Sequence, residues 1–232
     1  MKNVVYYLAM VLFLLTNAQL AKGQSKTIAV SGFDEVELAI AADCYLTQGE
    51  TFECRLEGEQ ETLEEVEVFV SGSSLKIKYK KPWQFGNPDR IKVYVQLPTL
   101  VAFAVTGSGD LLAPDPISTR ALRLTVTGSG DISMKDLTVE DLQAKISGSG
   151  SIQVKGARPG DELDVKVTGS GNYKGSGLAF ENARVSISGS GNSYVKAMED
   201  LAITVTGSGN VYYEGEALID ARVVGSGHVR ER

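Results

Sequence analysis

One tripeptide, Gly-Ser-Gly, constrains the fold of this chain more than any other feature. It occurs in stretches such as "TVTGSGD" (residues 125–131), and seven of its copies, from residue 107 onward, are 18 to 21 residues apart. An internal period near 20 residues is typical of solenoids, in which each repeat packs on its neighbours. The repeat therefore predicts one structural unit per period.

A β-strand is predicted before each of these seven tripeptides. Residues two, four and six before the first glycine are apolar in every copy, as at Leu122, Leu124 and Val126. The residues between them are mostly polar or small. Alternation with a period of two is typical of a strand with one buried face, whereas a helix would place its apolar residues three and four apart.

Each Gly-Ser-Gly is predicted to be a sharp corner, because both glycines can adopt positive φ without Cβ strain. The predicted corner glycines are Gly107, Gly109, Gly128, Gly130, Gly148, Gly150, Gly169, Gly171, Gly189, Gly191, Gly207, Gly209, Gly225 and Gly227. The next residue is a short polar type in most copies, and such side chains bond to nearby backbone at turns. The chain is expected to leave each corner as another short strand.

Two architectures fit a strand, a corner and a second strand repeated about every 20 residues. Successive copies would be antiparallel in an array of hairpins, whereas in a β-helix each copy is one coil and like positions lie above one another. The β-helix is favoured, because identical corners at near-constant spacing are what a stacked ladder of hydrogen bonds requires. The predicted fold class is all-β, a β-helix or solenoid with Gly-Ser-Gly corners over residues 101–232.

Residues 24–100 are less regular and are predicted to form an N-terminal β-region. Residues 66–80 are typical of a hairpin, and residues 90–100 are typical of a strand that leads into the repeats, with a loop between them. This region is either the first coils of the same solenoid or a β-layer packed on its end. An atypical terminal unit would cover the open edge and oppose aggregation.

Residues 1–23 have the pattern of a signal peptide. Lys2 precedes a mostly apolar run, and the small residues Ala21 and Gly23 favour cleavage before Gln24. An uncleaved N-terminal anchor is the alternative. No later stretch approaches the roughly 18 to 20 apolar residues of a spanning helix. The chain is therefore expected to be exported, to the periplasm or to the cell surface and beyond, with no transmembrane segment after signal removal.

The charge of the chain argues against nucleic acid as a partner. Without residues 1–23 the chain has 21 basic and 29 acidic side chains, a net charge of −8. Nucleic-acid binding requires clustered Lys and Arg that neutralise phosphates. An acidic surface suits an exported soluble protein.

The two cysteines are predicted to form a disulfide. Cys44 and Cys54 are symmetric about Gly49, so a hairpin centred there would bring their sulfurs opposite each other. An oxidising compartment favours the bond, and the alternative is two buried or free thiols. Metal binding by two cysteines without histidine partners is disfavoured.

Three elements together resemble a known family: "FDEVELAIAADCYLTQGE" (residues 33–50), "IKVYVQLP" (residues 91–98) and the repeated "GSGD" and "GSGN" turns. The family is that of the exported bacterial proteins named putative auto-transporter adhesin, head GIN domain. The resemblance covers nearly the whole chain after residue 23. It implies a right-handed β-helix-like, all-β structure and an occurrence chiefly in Bacteroidetes. It implies no catalytic or binding residue that can be carried over to a position of this chain.

An enzyme is not favoured by the sequence. The outward positions of the predicted strands differ from coil to coil, as at Arg123, Gln143, Asp164 and Arg184, and show no paired acids. With His228 as the single histidine, a Ser-His-Asp triad or a histidine-based metal site is nearly excluded. Gly-Ser-Gly is not followed by Lys-Ser/Thr, as a phosphate-binding loop would be. We predict no cofactor and no metal site from the chain.

The side chains that follow the corners form a predicted ligand-facing column. This column comprises Asp110, Asp131, Asn172, Asn192 and Asn210. Calcium binding at the corners of its two aspartates is left open. The tyrosines just after the later turns either stack on sugar rings or, as the favoured alternative, fill space within or along the coils. These tyrosines are Tyr173, Tyr194, Tyr212 and Tyr213.

The leading functional hypothesis is an exported, non-enzymatic β-solenoid that acts in adhesion or surface interaction. Its partner would be a glycan or a surface protein, held by multivalent contact along a rigid rod. The alternative is a periplasmic, envelope-associated scaffold without an external ligand. A polysaccharide-processing enzyme is a remote third hypothesis.

Overall fold

A computed structural model describes residues 24–81 and 90–232. The predicted signal peptide and most of the predicted loop before residue 90 lie outside the described residues. In the part of the chain that is described, no helix has the length and apolar character needed to cross a membrane.

The described residues form 21 β-strands and one short α-helix. The first strands are β1 (Gln24–Ile28), β2 (Glu35–Ala39), β3 (Ala42–Gln48), β4 (Glu53–Gly58), β5 (Val66–Ser71), β6 (Ser74–Tyr79) and β7 (Ile91–Leu97), and helix α1 (Gln60–Glu64) lies between β4 and β5. The later strands are β8 (Ala102–Gly107), β9 (Asp110–Ala113), β10 (Ile117–Ser118), β11 (Ala121–Gly128), β12 (Asp131–Met134), β13 (Leu137–Thr138), β14 (Asp141–Gly148), β15 (Ser151–Lys155), β16 (Gly160–Gly169), β17 (Asn172–Gly189), β18 (Asn192–Gly207), β19 (Asn210–Glu214), β20 (Leu218–Gly225) and β21 (His228–Glu231).

From β8 onward the chain is a β-solenoid, as predicted. One strand precedes each corner and another follows it, and each pairs in parallel with the equivalent strand of the next coil. The long strands β17 and β18 each run from one corner to the next, so each combines the strand that follows one corner with the strand that precedes the next. The first glycines of all seven corners are aligned, from Gly107 opposite Gly128 to Gly207 opposite Gly225. The parallel pairing excludes the array of hairpins.

The interior is built from the predicted apolar positions. Residues at equivalent positions stack directly, as Leu124 on Phe103 and Val126 on Val105, and all four are fully buried. Stacking removes the apolar surface of each coil from water except at the ends of the solenoid, so burial of these columns is the main stabilising term.

The two glycines of each corner are required for different reasons. Gly128 has a φ of +120°, a conformation that strains a residue with a Cβ. Gly130 does not have positive φ, so the prediction that both glycines use it is wrong. A Cβ on Gly130 would instead lie 2.0 Å from the carbonyl oxygen of Gly109 in the preceding coil. The second glycine therefore allows the backbones of successive corners to approach closely.

The N-terminal strands also form coils, but not in chain order. The pair β2 and β3 lies between the pair β6 and β7 on one side and the pair β8 and β9 on the other. Strand β5 forms the predicted hairpin with β6, with Ser71 opposite Ser74. Strand β4 pairs antiparallel with the edge of β7, and β1 pairs antiparallel with β4. The division of the chain at residue 100 stays a prediction, since strands from both sides share the same sheets.

The cysteines do not face each other across a hairpin, and that prediction is wrong. Strand β7 lies between β3 and β4, with Val93 opposite Cys44 and Val95 opposite Cys54. Strands that are two positions apart are separated by roughly 9 to 10 Å, beyond the span of a disulfide. Both residues are fully buried free thiols, which is the alternative that the sequence left open.

Candidate functional site

The aspartates of the predicted ligand-facing column bond to the next coil. Asp110 Oδ1 accepts a hydrogen bond from the backbone N–H of Asp131 at 2.8 Å, and Asp131 Oδ1 accepts one from the N–H of Ser151 at 2.7 Å. An aspartate after a corner accepts this N–H because the corners are aligned one above the other. Each bond to a charged acceptor stabilises the fold by about 1.5–3 kcal/mol before solvent screening.

A basic residue from the N-terminal region neutralises the first of these acids. Arg90 Nε donates to Asp43 Oδ1 at 2.5 Å, and its Nη2 donates to Asp110. Asp43 and Asp110 are opposite each other in β3 and β9. Both oxygens of Asp110 therefore have donors, a contact set that does not resemble a calcium site. Within the described ranges no group of three His, Cys, Asp or Glu residues could hold a metal ion.

The asparagines of the column form a second ladder. Asn192 Nδ2 donates to Asn172 Oδ1 at 3.1 Å, and Asn210 Nδ2 donates to Asn192 Oδ1 at 2.9 Å. The backbone N–H of His228 donates to Asn210 Oδ1 at 3.1 Å. These contacts occupy much of the hydrogen-bonding capacity of the amides. The column joins successive coils, and its contact with a ligand stays a prediction.

The tyrosines after the later turns are divided between the core and the surface. Tyr173 is fully buried, and its hydroxyl has no hydrogen-bond partner among the described residues. Burial raises the pKa of Tyr173. Tyr194 and Tyr212 are half-buried on the outer face, with ring centroids 4.9 Å apart and an interplanar angle of 12°. Since stacked rings cover one another, this pair offers a sugar less open ring face than isolated tyrosines would.

A similar stack lies at the N-terminal end of the same outer face. The rings of Tyr45 and Tyr94 are 5.2 Å apart, and the guanidinium of Arg55 lies 4.0 Å from the Tyr94 ring centroid. The Tyr94 hydroxyl donates to Glu57 at 3.1 Å, a bond that favours the neutral phenol, and burial followed by this bond raises the Tyr94 pKa. Both faces of the Tyr94 ring are thus covered by protein groups.

A concave surface lies as a groove on the outer side of the strands that precede the corners. Its volume is about 1010 Å³, and it crosses β11, β14, β16, β17 and β18 near the start of their pre-corner segments. One row of side chains along it comprises Arg123, Gln143, Asp164, Arg184 and Ala202, which are opposite one another in register. We call these residues and the adjoining row Asp141, Glu162, Asn182 and Asp200 the outer groove.

The outer groove presents donors and acceptors at a regular interval. Neighbouring strands in a sheet are about 4.8 Å apart, so each row repeats its polar groups at that interval. Cationic Arg123 and Arg184 lie on either side of Gln143 and Asp164. Asn182 Nδ2 donates to Glu162 Oε1 at 3.0 Å in the acidic row. The arrangement can form hydrogen bonds with hydroxyl groups along an extended ligand.

Sequence reasoning found the residues of one row but not the groove. Arg123, Gln143, Asp164 and Arg184 were expected to point outward because they alternate with buried residues, and the structure exposes all four. Their variation between coils argued against catalysis and gave no signal of binding. Concavity depends on the backbone geometry of several coils together, which the alternation of buried and outward residues along one strand does not specify.

The fold and the groove define a class: a β-solenoid of stacked Gly-Ser-Gly coils that bears a continuous polar surface across several coils. The chain belongs to the family described as "Putative auto-transporter adhesin, head GIN domain", whose profile matches residues 32–217. No curated protein is significantly similar to it.

Solved structures share the fold at low sequence identity. A "putative adhesin" from Bacteroides fragilis has a TM-score of 0.84 at 21% identity, with 91% of this chain and 98% of that chain covered. A "putative adhesin" from Parabacteroides distasonis has a TM-score of 0.72 at 23% identity, covering 91% and 97%. A "Putative lipid binding protein" from the same species has a TM-score of 0.75 at 23% identity, covering 92% and 98%. At these identities the likeness shows the fold.

Proposed function

We propose that this protein is exported and acts without catalysis as an adhesin-like protein whose outer groove binds an extended glycan. The observation that carries the proposal is the outer groove itself, in which five successive coils place side chains at one outward position and four of them also do so at a second. The description of its family, which names adhesion, supports the same conclusion.

The mechanism would rely on repetition. Guanidinium, carboxylate and amide groups together supply donors and acceptors for the hydroxyls of a sugar chain. A single exposed contact of this kind is weak, but once one unit of a polymer is bound its neighbours are held at high effective concentration. The stacked core keeps the coils in fixed register, so little binding energy is lost in ordering the protein.

Binding to the groove can be tested with a matched pair of double variants. We expect Arg123→Ala/Arg184→Ala to weaken binding of a glycan identified on a polysaccharide array by about tenfold or more, because two charged donors are lost. The control is Lys145→Ala/Lys166→Ala, which removes two exposed cations from the same sheet outside the groove. Equal losses in both variants, or no binding to any array member, would contradict the proposal.

Location on the cell separates this function from the scaffold hypothesis. We expect added protease to cleave the protein on intact cells, as a surface adhesin would be. If cleavage requires a permeabilised outer membrane, the protein is periplasmic and an envelope scaffold replaces the adhesin. Release of oligosaccharide products from the bound polymer would instead indicate an enzyme.

A further inference from the structure

The last coil leaves apolar residues uncovered that are buried in the preceding coils. Ile219 and Val223 are 40% and 39% exposed, whereas Leu201 and Val205, at the same positions one coil earlier, are 1% and 0% exposed. Strand β20 pairs with β18 along one edge, and no described residue pairs with the other edge. We call this free side of β20, with its exposed apolar residues, the C-terminal edge.

The backbone of the C-terminal edge is arranged for strand pairing. Val101, six residues before the corner glycine Gly107, directs its carbonyl toward the next coil. There the N–H of Arg123 donates to Val101 O at 3.0 Å. The equivalent residue in the last coil is Ile219. The N–H and C=O of one strand residue point to the same side, and this side alternates along the strand. Ile219, Ala221 and Val223 therefore direct their backbone groups out of the edge.

The sequence of β20 is complementary to itself when it is reversed. The segment is "LIDARVV" (residues 218–224), with Ala221 at its centre. Antiparallel pairing of two copies about Ala221 places Asp220 opposite Arg222 of the second copy. It also places Ile219 opposite Val223. The acid therefore meets the base on the outer face of the combined sheet, and apolar residues meet apolar residues on its inner face.

We propose that two copies of this chain associate through the C-terminal edge, with β20 of one copy antiparallel to β20 of the other about a two-fold axis at Ala221. About six backbone hydrogen bonds would form from the outward-directed groups of Ile219, Ala221 and Val223 in the two copies. The axis is normal to the sheet, so the inner faces of both copies stay on the same side. The two apolar interiors then become one continuous core.

The charge pair makes the contact specific for this register. Asp220 and Arg222 of the second copy occupy a position without direct backbone hydrogen bonds, where the side chains of an antiparallel pair are closest. A two-fold axis produces this contact twice. The interface is closed, because each copy uses its single C-terminal edge. Association of this edge with the N-terminal end of another copy would instead generate an open filament.

Sedimentation equilibrium of the purified protein tests the proposal, with thermal unfolding to show that each variant is folded. We expect the native protein to reach the mass of a dimer and to stop there as concentration rises. Asp220→Arg and Arg222→Asp should each raise the dimer dissociation constant about tenfold or more, because each places two like-charge pairs in the interface. The control is Asp115→Arg, the same charge change on an exposed loop residue.

Complementation provides the decisive outcome. An equimolar mixture of the Asp220→Arg and Arg222→Asp proteins restores two opposite-charge pairs, so we expect a heterodimer of nearly native affinity. The double variant Asp220→Arg/Arg222→Asp should also dimerise. A monomer at all concentrations, open-ended growth in mass, or a dimer unaffected by either single variant would overturn the proposal.

Discussion

The N-terminal region and the repeats build the same kind of coil by different routes. In the repeats, coil order follows chain order, and every strand before a corner from β8 to β18 pairs with its counterpart in the next coil, ending at β20. In the N-terminal region, β2 and β3 are inserted between coils made from β6 and β7 and from β8 and β9. Parallel stacking is therefore a property of the whole solenoid, and the Gly-Ser-Gly corner is a property of its repeats.

The two kinds of coil meet at the corner that contains Gly107. A Cβ on Gly107 would have no atom within 4 Å, because the turn between β2 and β3 below it has no Gly-Ser-Gly. A Cβ on Gly128, one coil later, would lie 2.4 Å from the carbonyl oxygen of Gly107. Both glycines have positive φ, at +99° and +120°. At the first glycine of the corner, close stacking thus begins at the second Gly-Ser-Gly. The second glycine of the first corner, Gly109, already lies against the N-terminal coil, since a Cβ on it would lie 2.4 Å from the carbonyl oxygen of Ile40.

The largest expected effect comes from alanine at a stacked corner. We expect Gly128→Ala to lower the free energy of unfolding by about 3–5 kcal/mol, because it combines backbone strain with a clash against backbone that cannot move freely. Gly107→Ala keeps the strain and lacks the clash, so a loss of about 1–3 kcal/mol is expected. Urea unfolding followed by circular dichroism measures both.

These two variants can break the comparison between the regions. Equal losses at Gly107 and Gly128 would mean that positive φ alone explains the glycines and that close stacking costs little. Gly130→Ala provides the complementary case, because it introduces a contact of 2.0 Å without positive φ. A loss at Gly130 close to zero would contradict the close approach of successive corners.

The repeats could be predicted from the sequence because their information is local and periodic. Each apolar alternation before a corner, as at Leu122, Leu124 and Val126, fixes one strand, and the constant spacing fixes its neighbour. The N-terminal strands are also visible in their alternation, but nothing local states that β7 pairs with both β3 and β4. The predicted cysteine hairpin failed because this strand, distant in sequence, displaces the local pairing.

The two thiols provide a test of that inserted strand. Burial raises the pKa of Cys54 to about 12 and raises that of Cys44 as well, so both remain protonated near neutral pH. We expect alkylation by iodoacetamide at pH 8 to be at least about a hundredfold slower in the folded protein than in urea, because the thiolate is the reactive form. Mass spectrometry of the modified protein counts the labelled thiols.

The result distinguishes the buried thiols from the predicted disulfide. With β7 between them, denaturation without reductant should release two alkylable thiols per chain. If no thiol is labelled in urea until a reductant is added, the cysteines are bonded and β7 does not separate them. Rapid labelling of the folded protein would show that this part of the N-terminal region opens more readily than its burial indicates.

The candidate site was less predictable than the fold for a physical reason. Short polar residues after the corners attracted attention because they recur, and in the structure Asp110, Asp131 and Asn192 bond to neighbouring coils. Recurrence is what a stacked ladder requires, whereas a ligand surface such as the outer groove can vary from coil to coil. Regularity in this chain therefore indicates stability more directly than binding.

The smallest expected effect concerns a break in the ladder after the corners. Aspartates join the coils up to Ser151 and asparagines join them from Asn172 onward, but within the described chain no side-chain hydrogen bond links Ser151 to Asn172. Ser151→Asn would supply an amide oxygen below Asn172, and we expect the free energy of unfolding to rise by about 0.5–1 kcal/mol.

The control for this prediction is Ser133→Asn, which makes the same change away from the ladder. Ser133 lies on the outward row between Leu112 and Gln153. If thermal unfolding shows no gain for Ser151→Asn over Ser133→Asn, the amide ladder stabilises the repeats no more than any polar surface row does, and the column after the corners becomes available for a role in binding.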